Sequence, residues 1–156
     1  MSTLELLSQI PQLPPEQQTE ALKHVATLME APEYINELIQ IMANFEVDNK
    51  TRQRAAVFFG RMTHMHYEIY NGEPTVFNPF LQAFANETDP YIGEQISHAL
   101  RLIMDCNGEE WTQLVELINH MCSNENVNTF WIGTNLLINF IPGARNDFII
   151  QMMPMI

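Results

Sequence analysis

The sequence is short of glycine, of cations and of cysteine, and each shortage narrows what the chain is. Glycine accounts for 6 of the 156 residues. No Asn-Gly or Asp-Gly pair sits between alternating strands. Asn71-Gly72 and Asn107-Gly108 follow helical patterns instead and read as helix stops. Lysine and arginine number 7 against 19 aspartates and glutamates, a net charge of −12. Such a chain repels a phosphate backbone, which argues against direct nucleic-acid binding, and it attracts basic proteins and peptides. An acidic surface also keeps a protein soluble without any partner. Cys106 and Cys122 do not make a disulfide framework and read as reduced core thiols of an intracellular protein. No apolar run approaches the roughly 20 residues of a membrane helix. The first ten residues carry Glu5 and no basic leader, so no signal peptide is expected.

The motifs of catalysis are missing as well. There is no G-x-S-x-G, no H-E-x-x-H, no glycine-rich phosphate loop and no cysteine with an orienting histidine nearby. No enzymatic activity and no cofactor are therefore expected. His64-Met65-His66 with Glu68 has the look of a metal cluster, but helix positions i and i+2 point about 200° apart, so the two imidazoles cannot chelate together. His64 and Glu68 alone do not complete a site. His24, His98 and His120 stand singly on helical stretches.

What the chain does have is a 3.6-residue period along its whole length, in a composition that is 46% hydrophobic. Ser2-Thr3-Leu4-Glu5 forms a capping box, with Leu4, Leu7 and Ile10 on one face. Pro14-Pro15 opens a second helix, with Leu22, Val25 and Leu28 or Met29 as its stripe, ending before Pro32. A third carries Ile35, Leu38, Ile39, Met42 and Phe45. A fourth, after Asp48, carries Ala55, Phe58, Phe59, Met62, His66 and Ile69. The second half repeats the theme. Val76, Phe77, Phe80, Leu81 and Phe84 form a fifth face. Asp89-Pro90 caps a sixth helix with Ile92, Ile96, Leu100 and Ile103. Trp111, Leu114, Val115, Ile118 and Cys122 mark a seventh. Val127, Phe130, Trp131, Leu137, Ile138 and Ile141 mark an eighth, which stops at Pro142-Gly143. A ninth begins at Phe148.

Pair starts near residues 33, 76, 109 and 144 are separated by roughly 33 to 43 residues, in and just below the range of two-helix repeats. The expected fold is all-α: an α-α superhelix (HEAT-type solenoid) of about four antiparallel helix pairs plus the start of a fifth, forming one segment over residues 1–156. A closed bundle is the alternative. The apolar, uncapped run Phe148 to Ile156 argues against it and suggests the N-terminal fragment of a longer stack.

Four of the seven cations fall in one stretch: Lys50, Arg52, Arg54 and Arg61. A local basic face of this kind in an acidic protein would meet an acidic patch on a partner; the plainer alternative is a solvated helix surface.

The order of features resembles the N-terminal HEAT repeats of the importin β (karyopherin β) nuclear transport receptors, over almost the whole chain. Residues 14–70 resemble the family's N-terminal domain: Glu20-Ala21-Leu22, then Pro32-Glu33-Tyr34, Leu38 and Ile41, then Arg52-Gln53-Arg54-Ala55-Ala56-Val57-Phe58-Phe59-Gly60-Arg61. Further on, Gln95-Ile96-Ser97-His98-Ala99-Leu100-Arg101-Leu102-Ile103 leads to Trp111-Thr112-Gln113-Leu114-Val115. Asn128-Thr129-Phe130-Trp131-Ile132-Gly133-Thr134-Asn135-Leu136-Leu137 is most similar to the branch of larger importins and the CAS-type exportin. The sequence departs from the pattern at Gly108, where the family has proline before the tryptophan, and at Gly60 and Met62, where it has leucine and asparagine.

The resemblance implies a receptor that shuttles between cytoplasm and nucleus. It would bind the small GTPase Ran in its GTP form, carry basic cargo proteins and contact the Phe-Gly repeats of nuclear pore proteins. It places the Ran-facing surface on the second helix of each pair. The residues so implied are Lys50, Arg54 and Arg61 on the fourth helix, and Tyr91, Glu94, Gln95 and His98 on the sixth. Phe-Gly repeats would fall near Phe77, Phe80 and Trp111. The other expectation open to the chain is a HEAT scaffold of a pathway that does not use Ran.

Overall fold

Local sequence sets where the helices begin. The computed structural model describes residues 2–71, 81, 84–107 and 112–140, and among these every regular element is helical. The α-helices are α1 (Thr3–Gln9), α2 (Pro15–Leu28), α3 (Ile35–Ala43), α4 (Asn49–Asn71), α5 (Pro90–Asn107), α6 (Thr112–Cys122) and α7 (Val127–Phe140), with single 3₁₀ turns at Ile10–Gln12 and Pro32–Tyr34. The capping box forms as read, Ser2 and Glu5 each satisfying the other's backbone N–H. Asp48 caps α4 by accepting from the Thr51 N–H and hydroxyl. Asp89 caps α5 through the N–H groups of Tyr91 and Ile92, with Pro90 at the first helical position. Asn126 caps α7 through Asn128 and Thr129. Of the expected fifth helix, Leu81 and Phe84 are helical and buried. Val76, Phe77, Phe80, Trp111, Ile141 and the expected ninth helix lie outside the described residues.

Contacts along the helices fix their relative direction. Asn49 and Gln53, near the start of α4, both donate to Asp89 at the head of α5. Farther along, Gly60 of α4 lies against Gln95 of α5. The two helices therefore run parallel. The Glu87 carbonyl, just before α5, accepts from Thr129 near the start of α7, and Gly93 meets Ile132 farther on, so α5 and α7 are parallel too. Short connections, residues 44–48 and 123–126, return α3 into α4 and α6 into α7, which makes each an antiparallel pair. The second helices α4, α5 and α7 thus form one layer. The first helices α3 and α6, with the segment at Leu81 and Phe84, form the other. This is the architecture of a helical-repeat stack, in which each pair buries its apolar face against its neighbours.

One continuous core runs between the layers, with Leu38, Met42, Phe59, Met62, Phe84, Ile92, Ile96, Leu100 and Ile118 essentially removed from solvent. The Phe59 and Phe84 rings pack tilted, with centroids 6.4 Å apart, a favourable aromatic geometry. Two glycines permit the tightest helix approaches. A Cβ on Gly93 would lie 2.4 Å from Ile132 Cγ1, and one on Gly133 would lie 2.7 Å from Met121 Cβ and 2.9 Å from the Cys122 nitrogen.

Four expectations of phase and extent are corrected. The buried stripe of α3 ends at Met42, and Phe45 lies past the helix end and is exposed. On α1 the buried face is Leu6, Leu7 and Ile10, with Leu4 turned out. On α2 Leu22 is exposed while Val25 and Met29 are buried. On α7 the expected stripe is rotated: Thr129, Ile132, Gly133, Leu136 and Leu137 face inward, whereas Val127, Phe130, Trp131 and Ile138 are exposed. That helix is apolar around most of its circumference, so hydrophobicity does not set its rotation. The Thr129 bond to the Glu87 carbonyl and the Gly133 contact with α6 set it instead.

A candidate docking groove between the second helices

The α4–α5 seam has two ends of opposite character. At its head, Arg52 and Glu87 form an ion pair that is 3% and 1% exposed. Arg52 also donates from Nε to the Met42 carbonyl and from Nη1 to Asn49, and its guanidinium stacks on the Phe45 ring, 4.6 Å from the centroid. Glu87 also accepts from the N–H groups of Thr88 and Asp89. Burial nevertheless pushes its carboxyl above the ordinary range, outweighing the downward pull of the Asp89 N–H and of Arg52. This network ties the end of α3, the start of α4 and the strap before α5 together. The expectation that Arg52 belongs to an exposed basic face is therefore corrected: it is a buried structural cation.

Farther along the seam the helices part and leave an open groove of about 550 Å³. Its floor is Met29, Val57, Gly60, Met65, Ala99 and Leu102, and its polar rim is Arg61, His64, Gln95 and His98. Arg61 is exposed and lies 5.6 Å from the centroid of the Phe58 ring, a cation–π contact that orients the guanidinium. His98 sits 3.8 Å from Glu94 across one helical turn, both well exposed. The contents of the groove suit recognition of a side-chain-bearing surface, with apolar area on the floor and charge at the edge.

The residues implied by the resemblance divide accordingly. Arg61, Gln95 and His98 are brought together in the groove; Glu94 does not line it and lies beside His98. Lys50 is exposed on the first turn of α4, and Tyr91 is exposed on the first turn of α5. Arg54 is half-buried and donates to the Leu7 carbonyl at 3.0 Å, which ties it to α1. None of these three lines the groove. Met29, Val57, His64 and Met65 were missed in the sequence. Val57, Arg61, His64 and Met65 stand at i, i+4, i+7 and i+8, one face of a helix, and that spacing is the signal that finds them.

His66 leaves this face. It carries non-helical φ −118° and ψ 18° within α4, and its Nε2 lies 2.9 Å from the Met29 carbonyl at the end of α2. A carbonyl only accepts, so that nitrogen donates. At the kink the ring thus satisfies the carbonyl of Met29, the residue that caps α2. His64 and His66 serve different neighbours. Among the described residues no group of three or more His, Cys, Asp or Glu is placed to hold a metal ion, and no helix is long and apolar enough to cross a membrane.

A second groove lies between the first helices, lined by Leu81, Ala85, Asn86, Gln113, Glu116, Leu117 and His120. Cys122 is half-buried; burial pushes its thiol up against the opposing pull of the Thr134 hydroxyl. Comparison of the chain with protein-family models, with curated proteins and with solved structures finds no match.

Proposed function

We propose that this chain is a protein-docking helical-repeat module whose partner-binding face includes the α4–α5 groove. The observation that carries the reading is the groove itself: an open, apolar-floored cleft between two parallel second helices, edged by Arg61, His64, Gln95 and His98. Helical stacks use surfaces of this kind to bind other proteins. The acidic balance of the chain favours basic cargo by long-range attraction elsewhere on the surface.

The narrower reading is that of a nuclear transport receptor's N-terminal region, shuttling between cytoplasm and nucleus and binding Ran in its GTP form through α4 and α5. Its support is the sequence resemblance together with the convergence of Arg61, Gln95 and His98 on one site. In that reading the second groove, between first helices, is where pore-protein Phe-Gly repeats would insert. The test is binding of the whole chain to Ran loaded with a non-hydrolysable GTP analogue or with GDP. GTP-selective binding weakened by Arg61→Glu supports the transport reading. Equal binding to both forms, or none, leaves a docking module that does not use Ran.

A further inference from the structure

The groove is a local exception in an acidic molecule. The chain carries 19 carboxylate side chains, yet among the described residues none lines the groove. Its rim instead holds one arginine and two histidines, contributed by both helices. Glu94 beside His98 is the only carboxylate paired with the rim among the described residues, and none is paired with Arg61. Physiological salt screens charges beyond about 8 Å, so a partner in the groove responds to this rim more than to the distant acidic surface.

The floor has a matching character. Two of its six residues are methionines from different elements: Met29 at the end of α2, which is 5% exposed, and Met65 on α4, which is 52% exposed. Flexible, polarizable thioethers adapt to apolar side chains of varied shape. Gly60 keeps the middle of the floor low, since a Cβ there would stand 3.0 Å from Gln95 Oε1. The Gln95 amide is thereby left at the edge with a donor and an acceptor suited to a peptide backbone.

We propose that the α4–α5 groove binds an acidic amphipathic peptide segment of a partner protein. Apolar side chains of the segment lie on Met29, Val57, Met65 and Leu102, and its carboxylate is taken by Arg61, flanked by His64 and His98. A planar guanidinium already held over Phe58 is pre-organised for two-point carboxylate binding. The inference rests on the reading of the groove as a docking face, but it does not require the partner to be Ran.

The test uses the whole chain and two fluorescein-labelled helical peptides, each with leucines at i, i+3, i+4 and i+7. One carries glutamates on its flank and the other lysines. Fluorescence anisotropy is expected to show the glutamate peptide binding about tenfold tighter or more than the lysine peptide, despite the net negative charge of the chain. Arg61→Glu and Met65→Glu, both at exposed positions, are each expected to weaken it about tenfold or more. Arg61→Gln is expected to give an intermediate loss. Lys23→Glu makes the same charge change as Arg61→Glu on the exposed surface of α2 and is expected to change binding by less than about twofold.

Failure of the glutamate peptide to bind, preference for the lysine peptide, or equal losses in Arg61→Glu and Lys23→Glu would each overturn the proposal. So would full displacement by inorganic phosphate with the same Arg61 dependence, which would make the site a simple anion site. Peptide binding without GTP-selective Ran binding would sink the transport reading alone. Ran binding without peptide binding would sink this inference alone.

Discussion

The two ends of the α4–α5 seam are built from the same kinds of residue and do opposite things. At the head, an arginine is locked between a carboxylate, a carbonyl, an amide and an aromatic ring, away from water. Nine residues along the same helix, another arginine rests on an aromatic ring with its charge facing solvent. The difference lies in what crosses from the neighbouring helix. Glu87 and Asp89 close the head with hydrogen bonds, whereas Gln95, His98 and Ala99 leave the far end open. Charge therefore specifies the packing of the repeats at one end and is available to a partner at the other.

This contrast yields testable consequences, of which the largest concerns Glu87. Truncation to alanine strands the Arg52 guanidinium in the core and is expected to cost about 3–5 kcal/mol in urea unfolding. Glu87→Gln keeps an acceptor oxygen and is expected to lose less. It also carries a pH signature. The folded-state pKa of Glu87 is raised by burial, so the folded chain holds that proton more firmly than the unfolded one. The stability from this group is fully present below the unfolded value and is lost as pH rises through the folded value. Wild type is thus expected to lose stability relative to Glu87→Gln as pH is raised from just below the ordinary glutamate range. A gap that does not vary with pH would contradict this.

The helix contacts give the next effect. Gly133→Ala pushes a methyl into Met121 and the backbone of α6, and it is expected to cost about 1–3 kcal/mol in the same assay. Gly60→Ala, at the open end, meets only the mobile tip of Gln95. Better helix propensity is expected to offset that contact and leave stability within about 1 kcal/mol of wild type. If the two alanines cost the same, the open end is as tightly packed as the closed contacts.

Much of this was legible in the sequence. The all-α class, the pairing of helices and the caps at Ser2 and Asp89 follow from period and local chemistry, and the structure bears them out. The rotation of α7 was not legible, because apolar residues occupy most of its circumference and the deciding contact is made by a threonine. Lys50, Arg52, Arg54 and Arg61 read alike as one basic stretch. Their separation into exposed, ion-paired, carbonyl-bound and groove-lining side chains depends on partners 35 and 47 residues away in sequence, Glu87 and Leu7. Glu87 carries no local pattern that marks it as buried. The groove was half visible: Arg61, Gln95 and His98 came from the resemblance, while Met29 enters only because α2 ends beside the kink at His66.

The most direct test of the account is urea unfolding of Arg52→Ala and Arg61→Ala side by side. The account predicts that Arg52→Ala loses about 3–5 kcal/mol, while Arg61→Ala stays within about 0.5 kcal/mol of wild type. Comparable losses would contradict it, because Arg61 would then be part of the scaffold and the groove would not be a surface held open for a partner.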